Sequence, residues 1–64
     1  MKTKIKEIRE EQGISQHALA MKSNISRAVI SDLETGKAKN ITVGTMKKIS
    51  NALGKEISEI FSII

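Results

Sequence analysis

Residues 15–36, SQHALAMKSNISRAVISDLETG, constrain the fold of this chain more than any other stretch. An apolar pattern that contains one small residue, Ala20, breaks at Ser-Asn-Ile-Ser and restarts at once on a segment whose outward side is not apolar. Ser15 and Ser26 stand where a side-chain oxygen can cap a helix, and Gly36 stands where a left-handed residue can end one. The spacing predicts a short helix carrying Leu19 and Ala20, then a second with Val29, Ile30 and Leu33 inside. With so few residues between them, two such helices must meet at a steep angle, roughly 90–120°. Ala20, small where a core position would favour Leu, lets the second helix cross closely. Asn24 suits the turn because Asn tolerates positive φ better than any residue but glycine.

The rest of the chain reads as helices of similar kind. Thr3 is positioned to cap a first helix with Ile5 and Ile8 on one side, stopped by Gly13. Thr42 opens a fourth, where Met46, Ile49 and Leu53 fall at i, i+3 and i+7 before Gly54. The last segment, EISEIFSII, places Ile57, Ile60, Phe61 and Ile64 at i, i+3, i+4 and i+7. No stretch alternates with period two, so the expected fold is all-α: five helices in one domain over residues 1–64, with no sheet.

Composition removes several classes of function. Sixty-four residues bury little surface, and the chain has no cysteine, so neither a disulfide nor a thiolate zinc site can support the core. His17 is the only histidine and has no second His at ligand spacing, so no metal is expected. Apolar residues make up 39%, well above the disordered class, but no apolar run is long enough to span a bilayer. Residues 1–20 lack the apolar core of a secretory signal, which points to the cytoplasm and away from a membrane. One Phe with no Trp or Tyr argues against the stacking platforms that hold single-stranded nucleic acid. No Gly-rich phosphate loop, nucleophile with a nearby base or carboxylate cluster suggests an enzyme, a cofactor or a small-molecule ligand.

Charge gives a positive indication. Between residues 12 and 48 stand Lys22, Arg27, Lys37, Lys39, Lys47 and Lys48 against Asp32 and Glu34, so this stretch alone carries the net charge of +4. A positive charge focused in this way suits a polyanion. Charge alone is equally compatible with a lysine-rich surface that only meets water.

Gln16, Leu19, Ala20, Ile25, Ser26, Ile30, Leu33, Glu34 and Gly36, followed by TMKKISNALG at 45–54 and EIF at 59–61, resemble the helix-turn-helix of phage repressor and Cro-like transcription regulators, the XRE family. The likeness covers nearly the whole chain. Asn24 stands where the family usually has Gly, and Ser23 where it usually has an apolar residue. The resemblance implies a lambda-repressor-like domain that binds double-stranded DNA, with the third helix, about residues 27–35, in the major groove. A repressor that occupies its promoter is the leading expectation; the alternative is a protein-interaction module of the same fold, such as an antitoxin or anti-repressor.

The resemblance also assigns roles. Arg27 can present its fork to guanine O6 and N7 or clamp a phosphate, and Ala28 can touch a thymine methyl. Ser31 and Asp32 complete the base-facing set. Asp32 either accepts from cytosine N4 or tunes specificity by rejecting other sequences. Phosphates are expected at Gln16, His17, Ser26, Thr35, Lys37, Lys39 and Asn40, several of them near helix N-termini, which favour anions. Lys47 and Lys48 read as a solvated face. Arg9 and Glu34 resemble a pair that ties the first helix to the end of the third. Ile57, Ile60, Phe61, Ile63 and Ile64 are expected at a homodimer interface on the fourth and fifth helices, although in similar proteins the Ile60 and Phe61 positions usually close the domain's own core; the dimer sets two reading helices about one DNA turn apart, roughly 34 Å, on a palindromic operator.

Overall fold

The structure, a computed structural model, describes residues 2–61. Five helices follow one another: α1 (Ile5–Glu11), α2 (Gln16–Ser23), α3 (Arg27–Thr35), α4 (Val43–Leu53) and α5 (Ile57–Ile60). Three begin as their capping residues dictate. Ser15 Oγ accepts the backbone N–H of Ala18, Ser26 Oγ that of Val29, and Thr42 Oγ1 that of Thr45. Each such bond satisfies an N–H that has no carbonyl partner within its own helix. Gly36 and Gly54 end α3 and α4 in the left-handed conformation, with φ of 81° and 67°.

Between α2 and α3 only residues 24–26 intervene. Asn24 takes φ 58° and ψ 35° and is the one non-glycine residue with positive φ among those described. Its N–H returns to the carbonyl of Ala20, so the turn closes α2 as it leads into α3. Ser23, polar where the family favours an apolar side chain, is 4% exposed. Its Oγ donates to the Leu19 carbonyl at 2.7 Å, which removes the cost of burying the hydroxyl.

The core is built from Ile5, Ile8, Leu19, Ile30, Leu33, Ile49, Leu53, Ile60 and Phe61, so every helix contributes to one cluster. Helix α2 is central and packs on both α3 and α4. Gln12 Nε2 donates to the Leu53 carbonyl at 2.7 Å, tying the end of α1 to the end of α4. Among the described residues no buried side-chain nitrogen or oxygen lacks a partner.

Three expectations need correction. Thr3 is not the N-cap of α1: Lys4 holds that position without a side-chain bond. Thr3 is instead drawn into an isolated antiparallel bridge with Phe61, beside a Lys4 N–H to Ile60 carbonyl bond of 2.8 Å. Its hydroxyl donates to the Leu33 carbonyl at 3.2 Å and reaches the Ile5 N–H only at 3.4 Å. Val29, expected inside, is 40% exposed, because Ile30 and Leu33 already fill the inward side of α3. The last helix stops at Ile60, and Phe61 turns extended with φ −111° and ψ 109°. Of the two readings open for Ile60 and Phe61, closure of the chain's own core holds and the dimer interface does not: they are 0% and 2% exposed and have no surface to offer a second copy. Ile57 remains half-buried, while Ile63 and Ile64 lie outside the described residues.

The Arg9–Glu34 pair is present. Arg9 Nε donates to Glu34 Oε2 at 2.8 Å and Nη2 to Oε1 at 3.2 Å, a two-pronged contact with the side chains 11% and 3% exposed. Arg9 Nη1 also donates to the Ile14 carbonyl at 3.0 Å, so one guanidinium joins α1, the α1–α2 loop and α3. Burial pushes the Glu34 carboxyl up. The hydrogen bonds from Arg9 and Gln16, with the charges of Arg9 and Lys6, outweigh that effect and hold it below the usual carboxylate range. For Arg9, the hydrogen bond to Glu34 exceeds the opposing effect of burial and raises its pKa.

Arg9→Met, which leaves the Glu34 charge buried and unpaired, should lower stability by about 3 kcal/mol in urea denaturation. Arg9→Met with Glu34→Leu should regain most of that loss, since neither charge then remains. Because Glu34 titrates lower in the folded chain than in the unfolded one, its contribution is full above about pH 4.3 and declines as pH falls through the folded value. The acid limb of the stability curve should therefore be shallower in the double variant than in the wild type.

Candidate nucleic-acid interface

Helix α3 presents two unlike sides. Ile30 and Leu33 are fully packed, and Glu34 is locked to Arg9, which fixes the rotation of the helix about its axis. At about 100° per residue, Ala28, Asp32 and Thr35 then point the other way. All three are exposed, as is Arg27, while Ser31 is half-buried at the margin. Apart from Val29 at its margin, the outward side is small or polar, and a rod of this shape suits a groove about 12 Å wide.

Two recesses flank this side. One, toward α2, brings together His17, Met21, Asn24, Ser26 and Arg27. The other, toward the α3–α4 loop, brings Asp32 together with Lys37, Lys39, Asn40, Thr42 and Thr45. Residues far apart in sequence therefore border one surface, with His17, Ser26 and Arg27 on one edge and Lys37, Lys39 and Asn40 on the other. Lys47 and Lys48 are exposed on α4 and line neither recess.

The amide of Gln16 has partners within the chain. Its Nε2 donates to Glu34 Oε1 at 2.9 Å, and its Oε1 accepts from Arg27 Nε at 3.4 Å. Arg9, Glu34, Gln16 and Arg27 therefore form a continuous series from the core to the outward side of α3. What Gln16 has left for an anion is its backbone N–H, in the first turn of α2, where no intrahelical carbonyl can reach it. Ser26 Oγ accepts from the Val29 N–H at 3.2 Å and keeps its own hydrogen to donate. Thr35 Oγ1 donates to the Ser31 carbonyl at 3.0 Å and retains only acceptor capacity outward. Asp32 is exposed and takes no part in the Arg9–Glu34 pair, the one ion pair among the described residues.

Sequence reasoning missed Thr42 and Thr45 as members of this surface. Thr42 was legible as a helix cap, and a second Thr three residues later was the available signal. Their hydroxyls lie 3.0 Å apart at the start of α4, beside Lys39 and Asn40. Val29 was missed as well, because its apolar neighbours made it read as core.

A family model described as helix-turn-helix matches residues 5–60. Control protein C.MunI of a Mycoplasma species is 37% identical over 62 residues, covering 95% of this chain and 82% of that protein. The immunity repressor protein of Bacillus phage phi105 is 37% identical over 57 residues, 89% of this chain, which spans only 39% of the repressor's length. The crystal structure of the restriction-modification controller protein C.AhdI from Aeromonas hydrophila superposes with a TM-score of 0.82 at 31% identity, covering 91% of this chain and 86% of that one. With its matched span, five-helix order and exposed third helix, the chain belongs to the XRE-type helix-turn-helix family and is a DNA-binding transcriptional regulator, in a family of regulators rather than of enzymes.

Proposed function

We propose that this chain is a sequence-specific binder of double-stranded DNA that acts as a repressor, inserting α3 into the major groove as one half of a homodimer on a palindromic operator. The observation that carries this reading is the two-sided character of α3, whose inward side is fully packed while Arg27, Ala28 and Asp32 stay exposed. In this arrangement Arg27 directs its fork to guanine, Ala28 meets a thymine methyl, and Ser31 and Asp32 meet neighbouring base edges. The phosphates fall to the two edges: the start of α2 with His17 and Ser26, and Lys37, Lys39 and Asn40 on the other side, while Thr35, whose hydroxyl hydrogen is given to the Ser31 carbonyl, has no donor left for a phosphate. Relatives named as an immunity repressor and a control protein support a role at promoters.

The homodimer would be built on α4 and α5, where Ile57 is half-buried; residues 63 and 64, also expected at the interface, lie outside the described residues. A two-fold arrangement would present both α3 helices to the same side of a duplex, which matches a palindrome. Sedimentation at tens of micromolar should give a dimer, and Ile57→Ser should shift it toward monomer, with circular dichroism of the variant checking that the core, against which Ile57 also packs, survives.

Binding of fragments selected from genomic DNA should weaken steeply as salt rises, and selected fragments should outcompete bulk DNA. Equal affinity for both at every salt concentration would defeat the proposal. Lys37→Ala and Lys39→Ala should each weaken binding to all sequences alike and lower the logarithmic salt slope by about 0.9 for each phosphate that is no longer neutralised. Arg27→Ala should instead relax preference at one base pair, by about 1–3 kcal/mol, measured by competition between operators differing there.

A further inference from the structure

Val29 is an exposed β-branched residue on the reading helix, 40% accessible although its neighbour Ile30 is completely covered. It lines an open recess of about 410 Å³ whose wall is apolar at Leu33, Ala38 and Ile41 and polar at Asp32, Lys39 and Thr42. On α3 it lies about 60° around the axis from Asp32 and about 100° from Ala28. Its exposed apolar surface therefore stands at the margin of the outward side, between the packed Leu33, about 40° away, and the exposed carboxylate of Asp32. Exposed to water, that surface gains nothing from being apolar. Seated against a major groove, it meets base edges, on which nearly every feature is a hydrogen-bond donor or acceptor. The apolar exception is a methyl group on C5 of a pyrimidine.

We infer that Val29 is a specificity-determining residue that reads a pyrimidine C5-methyl group in the major groove, beside the base pair that meets Asp32. The inference rests on α3 being the reading helix. Thymine carries this methyl in ordinary DNA, and 5-methylcytosine carries it in modified DNA, so one side chain serves for either source. The angular separation from Ala28 gives the two residues different base pairs, which lets their contributions be measured apart.

The test uses a duplex selected from random sequence by the intact protein, with each thymine replaced in turn by uracil, a change that removes only the methyl. Wild-type protein should bind about fourfold more weakly at one such position, the effect of uncovering one methyl group. Val29→Ala should lose that difference at that position alone, and Val29→Thr, which keeps one methyl, should retain part of it. Thermal unfolding of both variants should stay near that of the wild type, since the side chain is outside the core. Where selection returns cytosine at this position, cytosine and 5-methylcytosine duplexes replace the thymine–uracil pair, and a Val29-dependent preference for the methylated form supports the same contact. Identical ratios in wild type and Val29→Ala at every pyrimidine would overturn the inference and leave the reading of α3 standing. Failure of selection to return any preferred sequence would overturn both.

Discussion

The contact between Arg9 and Glu34 governs more of this molecule than its size suggests. Two nitrogens of one guanidinium hold a carboxylate that is nearly enclosed, and the third reaches the Ile14 carbonyl. A carboxylate at that depth tolerates no loose arrangement, because any rotation of α3 that breaks the pair leaves a charge without water or partner. Ile30 and Leu33 alone would favour the same inward side, but apolar packing accepts small slips that a two-pronged charge contact does not. The pair therefore sets which residues of α3 face outward, and through Gln16 it extends to Arg27.

Connection of this kind changes how Arg27 should be understood. A long arginine on an exposed helix N-terminus samples many rotamers, and ordering it on binding opposes affinity. The 3.4 Å contact from Nε to Gln16 restrains the stem and makes no use of the two terminal nitrogens of the fork. Gln16 in turn is held by Glu34, so the restraint originates in the core rather than at the surface. The same residue thus serves the fold through its side chain and can serve an anion through its backbone.

The helix order, the three side-chain caps and the left-handed Asn24 were legible in the sequence because each depends on chemistry local to a few residues; that Glu34 needs a partner followed from a charge that cannot be buried alone, and that the partner is Arg9 followed from the family resemblance. What was not legible depends on contacts between distant segments. Thr3 has the chemistry of a cap, yet Phe61 draws it into a bridge and the Leu33 carbonyl takes its hydroxyl. Ile60 and Phe61 continue an apolar stripe whose period cannot say which members close the core and which are left over, and the cluster with Ile5, Ile49 and Leu53 decides it. Val29 fails for the opposite reason, since nothing in a run of Ala-Val-Ile says which member the core will leave outside.

Charge placement governs how such a molecule approaches a polyanion. Glu7, Glu10 and Glu11 are exposed on α1, and two of them share a recess with Lys4, Lys55 and Glu59 that has no residue in common with the two recesses beside α3. Outside residues 12–48 acidic and basic groups are interleaved and cancel, so the total of +4 lies on the middle stretch that carries the α3–α4 loop. A charge distribution of this type exerts a torque near a polyanion as well as an attraction, turning the lysine-bearing loop toward phosphate before the two surfaces meet. A small domain covers little of a duplex, so orientation during encounter matters more to it than to a larger binder. The uncompensated charge of Asp32 opposes this attraction locally, and it is tolerable because Lys37 and Lys39 stand beside it in the same recess.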